Sequence, residues 1–593
     1  MECHSISSPL LENARSIAGI LLSSHIFKVV AGLLLSGWLL CEIAFYFYLR
    51  YIVLPELNRL TTPVEGTHTP WDEFHKIIDV VSQLKESYAF ERFFSGWFLG
   101  APIKDIRRGN VREMLAWALY SKAQSTLTVR QKACVEDVLY WLKMRFQIDC
   151  PEGYNPQVRP MLLTLDKITY MHRPLVFYAS LTIIQVLGHS VLTLLGFRRH
   201  EVNGIAYWYR SRVRDVRPGE EASLPMVFFH GISPGLNLYL LVIHTLSRGR
   251  KMVLMEVPHI AMCLNFKAKR LGDMVKTVEI IAKRHRMPYF SVVGHSFGSL
   301  CAAWVSKHLK HNVRQLVLLD PVSLLLGLPD VCYNFLHKKP KTVMEHLLHY
   351  GGSMEITIHH TLRRQFWWYE GQLFLDEIKC PVYVGLSGND EIVPSAILKL
   401  YIEDHLAKTH AEEHHRHLVR ARRSSSRGVG NGSSHSQPHN QDSTCKTFDK
   451  ETASVSSDKE QVAGPELVSG SGGLSTAPCR LNHTPGDERG CILQRIQYVY
   501  WEGWSHGEIL FRFPQLKALD VALREQEKLF RSPDVSAAID MSRKGGAHRQ
   551  SSLDHSRAVM SSHRDTRNLS TSAVVGVNEN VGAGLGSSVK FKS

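Results

Sequence analysis

At 593 residues the chain is long enough for two or more domains, each able to bury a sizeable core. Its formal charge of +15 is not focused on one folded face, and lies largely in Arg198 to Arg217 and in two Ser/Arg/His-rich tracts near the C-terminus. With neither zinc-finger spacing nor an aromatic RNA-binding strand, such tracts suit an anionic membrane surface, and nucleic acid is not an expected partner. The eleven Cys form no CxxC pair and are odd in number, which reads as reduced, buried or incidental thiols rather than a disulfide framework.

Residues 1–28 read as an N-terminal tail. Val29 to Leu49 then form a mostly apolar run, broken only by Glu42, long enough to cross about 30 Å of hydrocarbon as a helix. The run is too long for a cleaved signal peptide, and no small-x-small cleavage site follows it. A carboxylate inside such a span costs a few kcal/mol, so Glu42 is expected to face protein or water. Residues 50–173 read as a helical domain: Trp71 to Leu84 and Val111 to Phe146 carry apolar residues at helical spacing. Phe93, Phe94, Trp97 and Phe98 make an aromatic patch there, expected as core or interfacial anchor.

A second apolar run, Leu175 to Phe197 (segment 175–197), is also long enough to span, or to lie on a membrane. Arg198, Arg199, Arg210, Arg212, Arg214 and Arg217 follow it and place the downstream region in the cytosol. If both runs span, residues 50–173 lie across the membrane from that region; if only the first does, the two share a side. The expectation is a single- or double-pass protein, at the endoplasmic reticulum or a lipid-droplet surface.

From about residue 202 short β-rich runs alternate with helical stretches: Pro225 to His230, Lys251 to Val257, Tyr289 to Val293, Arg314 to Leu319, Pro381 to Leu386 and Arg495 to Trp501. Such alternation predicts an α/β domain with a mostly parallel sheet, its first part at 202–408 and its last strand and helix at 490–532. Residues 321–377 interrupt it as a helical cap containing Phe366-Trp367-Trp368-Tyr369. Residues 409–489 and 533–593 have too few aliphatics to offset ordering entropy and read as a disordered insertion and tail. Arg422-Arg423-Ser424-Ser425 in the insertion offers a kinase or adaptor motif.

Gly294-His295-Ser296-Phe297-Gly298 joins the Tyr289–Val293 run to a helix-like stretch from Ser299. That is the strand, sharp turn and helix in which a serine becomes a nucleophile, and Gly294 and Gly298 let the two backbones approach. A serine hydroxyl needs an imidazole to take its proton, and the imidazole needs a carboxylate to hold its tautomer. Both partners should follow later strands of the sheet. Asp390 ends a strand-and-turn at Cys380 to Asp390, and His506 lies in the loop after Arg495 to Trp501. Asp320, after Arg314 to Leu319, is the alternative acid, more simply read as a cap on the following turn.

Four motifs in this order resemble the α/β-hydrolase superfamily of lipases and esterases: Phe229-His230-Gly231-Ile232, Gly294 to Gly298, Ser387-Gly388-Asn389-Asp390, and Ser505-His506-Gly507. The resemblance covers about 202–530, the insertion removed, and identifies no subfamily. It implies an oxyanion hole from the backbone N–H groups of Ile232 and Phe297, with Gly231 and His230 organising that loop. The spacing between Asp390 and His506 exceeds the family's, and removing the insertion restores it at little entropic cost.

The expected function is a membrane-associated serine hydrolase of lipid-like carboxylic esters, with Ser296, Asp390 and His506 as triad and no metal or cofactor. Acyl transfer and thioester cleavage use the same groups, and a membrane-tethered scaffold with a relic hydrolase domain is the non-enzymatic alternative. Haloalkane dehalogenases and epoxide hydrolases need a carboxylate where Ser296 stands. His295 is expected to pack or face substrate. His359-His360 and His414-His415 lack further ligands at metal-site spacing and are expected to be solvated.

Overall fold

A computed structural model describes residues 19, 25–61, 70–84, 88–211, 223–427 and 496–529. The bulk of the insertion, the C-terminal tail, most of the N-terminal tail and Arg212, Arg214 and Arg217 lie outside the described residues. Helix α1 (His25–Phe47) continues through a wide turn to Leu57, giving 31 apolar-rich residues from Phe27. Its first half is exposed, whereas Leu49, Val53, Leu54 and Leu57 pack with Ile168 and Ile356. Helices α2 (Pro70–Gln83), α3 (Phe90–Gly96), α4 (Arg108–Tyr120) and α5 (Val129–Phe146) follow, then α6 (Leu175–Leu194). Both α1 and α6 are long and apolar enough to cross a membrane.

The sheet begins at Arg198, ahead of the expected residue 202. Strands β1 (Arg198–Val202) and β2 (Ile205–Arg210) form an antiparallel hairpin around Asn203-Gly204, both at positive φ as a two-residue turn requires. Three of the arginines that follow the second apolar run, Arg198, Arg199 and Arg210, lie in this hairpin. Arg199 pairs with Glu256 at 3.2 Å and Arg210 Nη1 donates to Ser247 Oγ at 2.8 Å.

Strand β3 (Met226–Phe229), helix α7 (Leu240–Leu246), β4 (Met252–Met255), α8 (Leu271–Arg284), β5 (Phe290–His295), α9 (Gly298–His308) and β6 (Val313–Leu319) then alternate as expected. With β7 (Val382–Ser387) and β8 (Ile496–Trp501), the eight-stranded sheet has the order β1-β2-β4-β3-β5-β6-β7-β8, parallel from β4 to β8. Strands β3, β4 and β5 are buried at every residue, because helices cover both faces and apolar runs replace alternation.

Between β6 and β7 (Val382–Ser387) the cap holds α10 (Pro329–Cys332), α11 (Val343–Leu348), α12 (Ile356–Arg364) and α13 (Trp368–Gly371). Cap and N-terminal helices share one core. Tyr88 donates to Asp330 at 2.6 Å, Trp368 Nε1 to the Ala118 carbonyl at 3.2 Å, and Lys76 pairs with Glu377. Residues 70–173 therefore pack in one body with the cap and the sheet.

Helix α14 (Ser395–Arg427) runs past Thr409, where the sequence reading begins a disordered insertion. Ala, Glu, Leu and Arg in 409–427 are adequate helix formers despite the scarcity of core residues. The motif Arg422 to Ser425 falls in this helix, with its side chains outside what is described. Strand β8 (Ile496–Trp501) and helix α15 (Phe513–Leu529) complete the sheet's last layer.

Candidate active site

Ser296 follows the C-terminal end of the central strand β5, and α9 starts two residues later. Ser296 has φ 51°, the left-handed region that costs a non-glycine residue on the order of 1–3 kcal/mol. Close approach sustains the turn. A Cβ on Gly294 would meet the Gly298 carbonyl oxygen at 2.6 Å, and one on Gly298 would strike the Phe229 carbonyl.

Ser296 Oγ lies 2.8 Å from His506 Nε2, and His506 Nδ1 lies 2.7 Å from Asp390 Oδ2. The other Asp390 oxygen accepts the N–H groups of Ile392 and Val393 at 2.8 and 2.7 Å. The two loops that carry these residues are tied together: Gly388 and Asn389 N–H donate to the carbonyls of Trp501 and Trp504, each at 2.8 Å. The main-chain N–H of His506 donates to Glu391 at 3.0 Å. All three expected residues meet in one hydrogen-bonded chain.

Asp320 is not on this chain. It is fully buried and accepts the N–H and hydroxyl of Ser387 at 2.8 and 3.0 Å and the Gly507 N–H at 2.9 Å. Burial and the Asp390 charge push its carboxyl up to about 6. At His506 burial opposes the charged form, but the charge and hydrogen bond of Asp390, then Asp320 and Glu391, outweigh it and raise the imidazole to about 9. Three carboxylates thus favour the imidazolium, the state that forms when serine gives up its proton. One ligand atom each from Asp320, Asp390 and His506 lie within 4.8 Å of one another, a cation-like spacing, yet these atoms are engaged in the hydrogen bonds just described.

The loop after β3 packs directly on the elbow. A Cβ on Gly231 would meet Ser296 Cβ at 2.8 Å and the His295 carbonyl oxygen at 3.0 Å. His230 is buried and neutral: burial lowers its pKa, Nδ1 donates to the Gly231 carbonyl at 2.8 Å, and Nε2 accepts the Val257 N–H at 3.0 Å. Ile232, Ser296, Phe297 and His506 all border one cavity. His295 is packed rather than facing that cavity; its Nδ1 accepts from the Tyr239 hydroxyl at 2.9 Å, which itself accepts the Gly231 N–H at 2.8 Å. Tyr239 carried no sequence signal, because its role depends on a contact across the sheet.

The cavity, of about 220 Å³, is bordered by Ser296, His506 and Ser233 and is otherwise lined mainly by apolar residues. Phe335, Leu362, Phe366 and Trp368 come from the cap. Trp97, Trp117 and Leu163 come from the N-terminal helical domain, which the sequence reading leaves outside the catalytic fold. His359 and His360 are buried, not solvated: α12 lies against the protein body, and His359 Nδ1 donates to the Ser353 carbonyl at 2.8 Å. His414 and His415 are exposed, as expected.

No protein-family model and no curated protein matches the chain. Among solved structures it is similar to a bacterial membrane phospholipase A at 15% identity, over 38% of this chain and 82% of that one, TM-score 0.27. An alpha/beta hydrolase fold protein from Chitinophaga pinensis matches at 13% identity, over 57% and 97%, TM-score 0.29. A proline iminopeptidase from Mycobacterium smegmatis matches at 12% identity, over 56% and 98%, TM-score 0.30. These are likenesses of fold alone. The strand order, the strained serine elbow between β5 and α9, and the loops after β7 and β8 give this chain the α/β-hydrolase fold, with no subfamily identified.

Proposed function

We propose that this protein is a membrane-associated serine hydrolase that cleaves carboxylic esters with a long apolar acyl group. The observation that carries the reading is the Ser296–His506–Asp390 hydrogen-bond chain, whose Ser296 and His506 border a mostly apolar cavity. Ser296 Oγ attacks the acyl carbonyl while its proton passes to His506 Nε2. The tetrahedral oxyanion is held by the N–H groups of Ile232 and Phe297, each worth about 3 kcal/mol. Collapse expels the alcohol, which takes the proton from His506, and water repeats the cycle on the acyl-enzyme.

The mostly apolar lining of the cavity favours an acyl chain over a polar substituent, and the exposed apolar half of α1 favours a substrate found at a membrane. The unbroken chain from Asp390 to Ser296 favours an enzyme over a scaffold with a relic domain.

The test is labelling of the full-length protein with a fluorophosphonate probe. The expected result is covalent labelling of the wild type, none of Ser296→Ala, and an unchanged thermal unfolding profile. Full labelling of Ser296→Ala would refute the assignment. Assay in the presence of glycerol then separates transfer from hydrolysis: release of free acid alone supports a hydrolase, and acylglycerol as the main product a transferase.

A further inference from the structure

We propose that helix α6 is not a second membrane span. It lies flat in the headgroup–acyl boundary of the bilayer that α1 crosses, and the active-site cavity opens beside it, so that the ester is drawn sideways from the leaflet. The inference rests on the reading of that cavity as an ester site.

One face of α6 is bound to the protein along its whole length. The N–H groups of Leu175 and Val176 donate to the Glu42 carboxylate of α1 at 2.7 and 3.2 Å. The Tyr178 hydroxyl donates to Glu355 at 2.9 Å, Gln185 Nε2 to the Ala261 carbonyl at 3.0 Å, and Gly188 sits against Asn237 with no room for a Cβ. A helix bound in this way cannot cross about 30 Å of hydrocarbon without carrying the hydrolase body into it. The opposite face, Val176, Ile183, Leu187, Val191 and Leu194, is an exposed stripe at helical spacing without an Asp, Glu, Lys or Arg; Leu194 is 86% exposed. A helix apolar on its free face and docked on the other is suited to the interface, not to water.

The depth agrees. Glu42 holds the first turn of α6 seven residues before Leu49, where α1 becomes buried in protein. Seven residues of helix rise about 10 Å, close to the roughly 5–10 Å at which interfacial helices settle below the headgroups. Glu42, costly in a bare span, is used as the cap of α6.

The mouth of the cavity adjoins this helix. Leu238 and Leu347 line the cavity and remain 40% and 62% exposed, so they form its rim. Leu238 follows the Asn237 that touches Gly188, and Tyr350, three residues beyond Leu347, meets the Phe177 ring of α6 at 6.1 Å. Beside exposed Val343 and Met344, the exposed Lys339 and Lys341 suit an anionic headgroup layer. This surface therefore faces an anionic lipid bilayer.

The full chain, in a cysteine-depleted background, is reconstituted into phosphatidylcholine–phosphatidylserine vesicles with a nitroxide on Val176→Cys, Ile183→Cys, Leu187→Cys or Leu194→Cys in turn. Relaxation by oxygen against a water-soluble nickel chelate reads depth. The proposal expects all four labels at one shallow depth. A spanning helix would instead spread Val176 and Leu194 over about 27 Å, and a second copy would shield the labels from both reagents; either result overturns it. In a second arm, Ile183→Glu combined with Leu187→Glu, neither of which lines the cavity, should lower hydrolysis of a vesicle-embedded ester at least 10-fold. A soluble short-chain ester and fluorophosphonate labelling of Ser296 should be unaffected. No loss on the embedded ester, or equal loss on both, overturns the proposal. If the unsubstituted protein neither labels nor hydrolyses any ester, the hydrolase reading fails while the depth result stands by itself.

Discussion

Asp320 Oδ2 accepts the main-chain N–H of Gly507 at 2.9 Å, anchoring the end of β6 to the residue next to the His506 imidazole. The buried carboxylate thus acts on His506 by its charge and through the loop, while Asp390 holds the imidazole directly.

The two acids are expected to separate in rate and in pH profile. Asp390→Asn removes the acceptor that fixes the tautomer and should lower kcat by about 10⁴-fold, as for other triads. Asp320→Asn should cost far less, since the Ser296 to Asp390 chain persists. The base is neutral His506, so kcat/KM rises with pH as that imidazole loses its proton. Removing the Asp320 charge removes one influence that raises the imidazole, so this limb moves to lower pH in Asp320→Asn. Stopped-flow or pH-stat profiles of the two variants check both points; an unmoved limb in Asp320→Asn would contradict the electrostatic role.

Gly231→Ala is expected to damage the oxyanion loop without unfolding the protein. The new methyl meets Ser296 Cβ and the His295 carbonyl at or under 3.0 Å, so the loop carrying the Ile232 N–H must withdraw. Loss of one such donor lowers kcat by about 10²–10³-fold. Single-turnover acylation rates together with thermal unfolding distinguish this from a loss of stability.

The far wall of the cavity should set acyl length. Trp117 Nε1 donates to Thr164 Oγ1 at 3.0 Å, and behind Trp97, Trp117 and Trp368 lies a small second void lined by Phe74, Ile78, Phe94 and Leu142. Thr164→Val frees Trp117 and should broaden the profile across p-nitrophenyl esters of increasing length. Trp117→Ala joins the two voids and should shift the optimum to longer chains, at about 3–5 kcal/mol of stability. An unchanged length profile in both variants would place the acyl chain elsewhere.

Stability on the far side of the sheet should depend on Arg250. It is fully buried and donates to Glu527 at 3.1 Å and to Asp520 at 2.7 Å, fixing α15 beside the start of β4. Arg250→Ala leaves two carboxylates without their buried partner and should cost about 3–5 kcal/mol. Urea unfolding followed by tryptophan fluorescence measures it.

The elbow, the acid and the base were legible because each lies within a few residues of a strand end, where local composition announces strand, turn and helix. The hairpin β1–β2 had a local signal too, Asn203-Gly204 between β-rich runs, although the strands expected from sequence begin only at Pro225. His359 and His360 show the reverse failure. A polar pair on a helix looks solvated until the body it packs against is known.

The sequence by itself determined the α/β order, the serine elbow, and two helices apolar enough for a membrane, since these follow from periodicity and turn chemistry within short windows. Only the tertiary structure decided that Asp390 rather than Asp320 holds His506, because both acids end parallel strands and only distance separates them. It also decided that Trp97, Trp117 and Leu163, more than 100 residues before Ser296 in the chain, wall the cavity above it, and that Glu42 caps a helix begun at Leu175. Such contacts join segments far apart in sequence, and no local pattern encodes which apolar or charged surfaces will meet when the core closes.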